Sequence, residues 1–237
     1  NSPTMINVPT NRTLAVSNSI LGAGTTLFGS HAVPGDYNLV WDIGSAGAFW
    51  AKFTDLQAAG EWTNSVYANP LFADASGGDF HVKSVVGRYA GGAWVKDEVH
   101  SPAIDLGSPS AAVGTEPVPN GGRLNVGIYG GTAQASKSRT NAWIQLANYT
   151  DGAVLDVQAG AWIRWNVGQA VPGATVTIWL SRDNGGSWEK IATDVNAAAQ
   201  AYFWQVLEPD NSSSREALLR VELDGVTPAA VSQSPTN

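Results

Sequence analysis

The sequence predicts an all-β protein in two parts: short strands stacked in coils, then an antiparallel sandwich. Three observations lead there. Charged residues make up only 14% of the 237, and there are 26 glycines, the composition of turn-rich sheet rather than of helix bundles. The first half carries short apolar pairs divided by Asn, Gly and Ser. The second half carries seven short alternating runs within about 85 residues, divided by Gly, Asn, Asp and Pro.

The chain opens on "NSPTMINV", with its only Met at position 5 and no signal peptide. That start reads as a processed product or an excised piece. Leu14 and Val16 in "TLAVSNSIL" share one strand face, as do Leu39 and Trp41 in "YNLVWDIG". Both pairs are offset by 25 residues, a spacing that suits one turn of a β-solenoid, although a sandwich also spaces its strands regularly. "FTDLQAAGEW" interrupts. Thr54 and Gln57 form a capping-box pattern, which predicts a short helix at 55–60 ended by Gly60. Extended structure resumes in "ANPLFADASGGDFHVKS", where alternation sets Phe80 and Val82 against a solvated His81.

"NSVYANPLFADASGGDFHVKS" and "SPAIDLGSPSAAVGTEPVPNGGRLNVGIYGGTAQASKS", with the earlier "YNLVW", resemble the C-terminal coils of secreted right-handed parallel β-helix proteins. That group includes polysaccharide lyases and many large bacterial surface proteins. The resemblance spans roughly residues 1–138 and implies closing coils with a polar, turn-rich cap. The family often has Cys within its "SP-x-ID-x-G" stretch, where this chain has Ala103.

The second half runs through "AWIQL", "AVLDVQ", "AWIRWNVG", "ATVTIWL", "WEKIATDV", "AYFWQVL" and "ALLRVEL". The Trp162–Arg164–Trp165 step breaks strict alternation and predicts a bulge there. These runs resemble the small immunoglobulin- or fibronectin-like domains of secreted bacterial and fungal wall proteins. The reading therefore assigns β-helix coils and cap to 1–138, a sandwich to 139–226, and a tail or linker to 227–237.

"SRDNGGSW" fits the Asp-box pattern through Ser181, Asp183, Gly185, Ser187 and Trp188. In sialidases that box recurs on propeller blades away from the catalytic centre; here it occurs once. Asp183 can accept from turn N–H groups, Gly185 and Gly186 can take positive φ, and Trp188 can fold back as a plug. The stretch reads as a rigid hairpin turn, not a site.

No catalytic constellation emerges. A β-helix lyase needs a basic residue beside acidic calcium ligands, and Lys52, Lys83, Arg88 and Lys96 are scattered. Asp74 and Asp79 fall short of the six to eight oxygens Ca²⁺ usually takes and read as turn caps. His31, His81 and His100 share no ligand spacing. Arg123 in "NGGRLN" reads as a brace for its loop rather than an anion site. Trp62, Trp94 and Trp143 are the expected exposed aromatics; Trp162, Trp165, Trp179, Trp188 and Trp204 are expected in the core. Asn11, Asn148 and Asn211 head glycosylation sequons.

The net charge of −7 and the lack of a basic run argue against nucleic acid. No stretch approaches a membrane span. Absence of cysteine agrees with an extracellular protein. The sequence thus predicts a non-enzymatic, cofactor-free structural or adhesive part of an extracellular or cell-surface protein. The alternatives are the non-catalytic C-terminal region of a polysaccharide lyase or other carbohydrate-active enzyme, or a carbohydrate-binding module. The expected partners are another chain, or upstream coils, covering the N-terminal end with Ile6 and Val8, and extracellular polysaccharide.

Overall fold

Two kinds of strand pairing divide the chain. The computed structural model describes residues 4–6, 14–22, 26–28, 34–41, 53, 56–57, 59–149, 160–170, 172–205, 216–227 and 229–234. It is all-β, and it separates into units Asn1–Thr140 and Asn141–Asn237.

The first unit begins with parallel pairs. Strand β1 (Thr4–Ile6) pairs with β4 (Thr26–Phe28), and β2 (Val16–Ser17) with β5 (Gly35–Asp36). Strand β3 (Ile20–Gly22) pairs with β6 (Leu39–Trp41), which pairs with β7 (Val66–Tyr67). The 25-residue offset read from the sequence is not the register. Val16 lies opposite Gly35 and Ile20 opposite Leu39, a step of 19; Leu39 lies opposite Val66, a step of 27. A buried polar column runs through these strands instead of a match of apolar pairs. The Asn38 side chain accepts from Ser19 N–H (3.0 Å) and donates to the Val16 carbonyl (2.8 Å). Asn38 N–H donates to Ser65 Oγ (3.0 Å), and both residues are fully buried. Buried polar groups must be paired, so this column resists any slip of register.

A small core forms beside it from Val40, Phe53, Trp62 and Tyr67. Phe53, Leu56 and Gln57 are helical, Gly60 has φ +83°, and its N–H bonds the Gln57 carbonyl. Thr54 lies outside the described residues. Two antiparallel hairpins follow, β8 (Phe72–Asp74) with β9 (Asp79–Val82) and β10 (Arg88–Ala90) with β11 (Ala93–Val95). Residues 96–140 contain turns and no strand.

The second unit is a sandwich of two antiparallel sheets. Strands β12 (Trp143–Leu146), β13 (Gly160–Gly168) and β16 (Ala201–Gln205) form one, in the order β12-β13-β16. Strands β14 (Thr175–Ser181), β15 (Glu189–Asn196), β17 (Leu218–Leu223) and β18 (Ala230–Gln233) form the other, in the order β15-β14-β17-β18. Ile144, Leu146, Ile163 and Trp165 of the first sheet meet Val176, Ile178, Leu180, Val221 and Leu223 of the second.

Three expectations change here. The bulge is not at Trp162–Trp165, where β13 alternates regularly; the register shifts fall between β14 and β15, around Ile178. Residues 227–237 are not simply a tail. Strand β18 closes the four-stranded sheet, with Leu223 opposite Ala230, and Ser234 Oγ accepts from Leu219 N–H. Edge pairing to β17 makes a strand of a stretch without a long apolar run. The run "AVLDVQ" at 153–158 lies outside the described residues.

Candidate functional site

The "SRDNGGSW" turn joins β14 to β15 and closes on its own polar groups. Ser187 N–H and Ser181 Oγ both donate to Asp183 Oδ1, at 2.8 and 2.7 Å. Ser187 Oγ donates to Asp183 Oδ2 (2.7 Å), and Gly185 N–H to Ser181 Oγ (2.8 Å). The Ser187 N–H, then the Ser187 and Ser181 hydroxyls, hold the Asp183 carboxyl down to about 2. Both carboxylate oxygens face inward to the turn, so little acceptor capacity is left for a ligand. Positive φ falls on Asn184 (53°) and Gly185 (90°), not on Gly186. Gly186 serves by its bareness, because a Cβ there would sit 3.0 Å from Asp183 Oδ2. Trp188 is not a core plug: it is half-buried against the Arg220 guanidinium, 4.3 Å from its ring centroid. Arg220 also lies over Trp179 (5.1 Å), which Lys190 covers as well (4.9 Å).

The segment 101–138 gathers a second set of the first unit's buried polar groups. Ser138 Oγ donates to Asp105 Oδ1 (2.7 Å), and Asp105 N–H to Asn125 Oδ1 (2.9 Å). Glu116 Oε1 accepts from Asn125 N–H and Gly131 N–H, both at 2.8 Å. Arg123 donates from Nη2 to the Leu106 carbonyl (2.9 Å) and from Nε to the Gly107 carbonyl (3.0 Å). It therefore braces "SPAIDLG", with Ala103 fully buried. Burial pushes the Asp105 carboxyl up to about 7; the Ser138 hydroxyl opposes this and the Glu116 charge adds to it. A raised carboxyl in a cleft would be a catalytic candidate. Asp105 is instead sealed, 3% exposed, and a Cβ on Gly121 would meet its carboxylate at 2.3–2.4 Å. No substrate atom fits between them.

Among the described residues the other ionisable groups do not converge on a cleft. Asp74 accepts from Ser76 Oγ (2.7 Å) and Gly77 N–H (2.9 Å) within its own turn. Asp79 accepts from His81 N–H (3.0 Å) and lies 2.6 Å from its Nδ1. Burial in β9 departs from the expected alternation: His81 is buried and Phe80 is 42% exposed, while Val82 is buried as expected. His81 gains a polar partner in Asp79 and a stacked ring in Tyr129 at 3.6 Å, while Phe80 packs edge-on against Phe72. Arg88 is held by Asp97 (3.1 Å) and faces Asp79 (3.7 Å). Burial, then the Arg139 charge, brings His100 down to about 4. Among the described residues no three of His, Asp or Glu are disposed to hold a metal ion. Lys52 and His31 lie outside them.

The aromatic assignments divide. Trp62 is 1% exposed, because it forms the small core with Val40 and Tyr67. Trp143 is buried as well, and Trp94 is exposed beside Tyr89 with Lys137 over its ring. Trp162 points outward and is 43% exposed, since core-facing Ile163 and Trp165 take the inner positions of β13. Ile20, Trp41, Phe72, Phe80 and Ile128 line an open groove of about 450 Å³, which neither composition nor motif reveals. Asn148 is no acceptor for a glycan. Its Nδ2 donates to the Trp162 carbonyl (2.6 Å), its Oδ1 accepts from Arg164 N–H (3.0 Å), and it is 3% exposed. Asn11 and Asn211 lie outside the described residues.

Among the described residues no helix is long and apolar enough to cross a membrane. No curated protein matches the chain, and no solved structure does. A family model described as disaggregatase related matches residues 50–107, about a quarter of the chain, running from beside Phe53 to the end of "SPAIDLG".

Proposed function

We propose that this chain is a non-catalytic structural or adhesive part of an extracellular or cell-surface protein. Residues 1–138 would be the closing coils and cap of a right-handed parallel β-helix, and the sandwich an immunoglobulin- or fibronectin-like domain. The observation that carries this reading is the sealed polar cap. Its one strongly raised carboxyl, Asp105, is closed off by Gly121 and accepts from Ser138, while the Asp105 backbone N–H donates to Asn125. The parallel pairs β2–β5 and β3–β6–β7, with the Ser19–Asn38–Ser65 column, support stacked coils. The three-plus-four strand order supports the sandwich assignment. Strand β1, paired with β4 alone among the described residues, is the edge where further coils or another chain would add.

The test is turnover. The purified chain, incubated with pectin, alginate and other uronate polymers, is expected to release no unsaturated product. Release that persists through purification and disappears on substitution of one Lys or Arg would overturn the reading.

A further inference from the structure

The chain contains the tripeptide Asn-Gly-Gly twice, beginning at Asn120 and at Asn184. An asparagine before glycine carries its own reagent. The next backbone nitrogen can attack the side-chain carbonyl, because glycine presents no Cβ to block the approach. The local residues are the same at both sites, so the sequence does not distinguish them. The fold does.

At Asn184 the attacking nitrogen is engaged. Gly185 N–H donates to Ser181 Oγ at 2.8 Å, inside the turn that Asp183 and Ser187 close. Asn184 N–H is anchored too, on the Glu216 carbonyl at 2.9 Å. To react, this peptide unit has to rotate and give up the Gly185 bond. At Asn120 the nitrogen is not held. Gly121 N–H donates to no group among the described residues. Asn120 folds its side chain over that nitrogen in an Asx turn, where Oδ1 accepts from Gly122 N–H at 3.3 Å. That bond polarises the carbonyl to be attacked, and one short loop keeps both reacting groups together. Nδ2, the group that leaves, donates to the Glu116 carbonyl at a long 3.3 Å. Gly122 is exposed, so water reaches the loop.

We propose that Asn120 is a self-modification site, at which the folded chain converts asparagine to aspartate and isoaspartate. A hydroxide ion takes the Gly121 N–H proton. The Gly121 nitrogen bonds to Asn120 Cγ, the Cγ–Nδ2 bond breaks, and the amide nitrogen takes a proton from water and leaves as ammonia. Water then opens the five-membered succinimide at either carbonyl. One product keeps the ordinary backbone; the other runs it through Cβ and lengthens it by one carbon.

The position makes the change consequential. Before Asn120, the Pro119 carbonyl accepts from Ser138 N–H at 2.8 Å. After it, Gly121 lies against the Asp105 carboxyl with no room for a Cβ. A carbon inserted between those two fixed points moves Gly121 off Asp105. Either product also places a new negative charge one residue from the glycine that seals a buried carboxyl, and like charges repel. The modified chain therefore loses the seal of the polar cap, and residues 1–140 unfold at a lower temperature.

The full chain is incubated at pH 8, with a parallel sample in guanidinium chloride, and both are digested at intervals for mass spectrometry. In the folded sample the peptide holding Asn120 is expected to gain one mass unit, part of it as isoaspartate, about tenfold or more faster than the peptide holding Asn184. In guanidinium the two rates should agree, because the surrounding fold is gone. Ser181→Ala releases Gly185 N–H and should speed the change at Asn184. In calorimetry the aged wild type should lose a few degrees from the transition of residues 1–140. An aged Asn120→Gln chain, whose larger ring closes slowly, should keep its starting value. If Asn120→Gln does not fold, the peptide maps and the melts of fresh and aged wild type carry the test. The proposal is overturned if Asn120 stays intact in the folded chain, if Asn184 keeps pace with it there, or if converted chain melts as fresh wild type.

Discussion

Two aspartates show how the same carboxyl is driven in opposite directions by its surroundings. Asp183, exposed but ringed by donors, is held at about 2, and Asp105, buried, at about 7. A depressed folded value means stability that is present above the ordinary carboxylate value and lost as pH falls from about 4 through 2. A raised value means stability that is present below about 4 and lost as pH rises through 7. Asp183→Ala is therefore expected to lower the sandwich's melting temperature at neutral pH and to remove part of its acid sensitivity between pH 4 and 2. Thermal melts across that range check it, and unchanged melting would contradict it. Asp105→Asn keeps an acceptor for Ser138 and cannot ionise. Wild type should lose stability from pH 5 to pH 8, by at most about 3 kcal/mol for a shift of this size, and the Asn variant should lose much less. Urea melts at the two pH values measure the difference, and an Asn variant less stable than wild type at pH 8 would count against it.

Strand pairs depend on what glycine leaves out and on what cations cover. In β5, a Cβ on Gly35 would sit 1.8 Å from the Val16 carbonyl oxygen of β2. Gly35→Ala should push these strands apart and destabilise by more than about 1 kcal/mol, as a backbone clash typically does. Hydrogen exchange reads this at Val16, whose N–H bonds the Pro34 carbonyl at 2.9 Å and should exchange faster in the variant. On the four-stranded sheet, Arg220 lies over the rings of both Trp179 and Trp188. Arg220→Ala should cost about 1–2 kcal/mol, and Arg220→Lys less, because the ammonium keeps the charge but loses the planar stack. Equal loss for both substitutions in denaturant melts would locate the effect in the guanidinium plane rather than in the charge.

The described residues hold two separate cores, one around Val40, Trp62 and Tyr67 and one around Trp165 and Ile178. The first unit holds the raised Asp105 together with Asp74, Asp79 and Asp97, whose carboxyls are lowered, and the second unit holds the lowered Asp183. Calorimetry is therefore expected to resolve two pH responses: raising pH from 5 to 8 lowers the transition of residues 1–140 and not that of residues 141–237, whereas lowering it from 4 to 2 lowers both. A single transition that moves as one in both ranges would contradict this assignment.

Alternation and turn chemistry made the all-β class, the sandwich runs and the Asp183 turn legible in the sequence, because each is a local property of a few neighbouring residues. Single-residue facing was harder. Trp162 and Trp165 are both large and apolar in one strand, and only the opposing sheet decides that Trp165 is inside. His81 is buried beside Val82, with Phe80 left exposed, because a partner aspartate and the distant Tyr129 receive the imidazole. The register of the parallel strands was illegible for a related reason. Apolar pairs 25 residues apart resemble one another, but the bonds of Asn38 to Ser19 and Ser65 select steps of 19 and 27. The open aromatic face of β13 and β16 and the sealing of Asp105 by Gly121 likewise arise from segments far apart in the chain. The sequence by itself determined the strongly alternating strands and the turns; tertiary contact decided the edge strand β18 and which side chains are buried, since both are settled by what arrives from elsewhere.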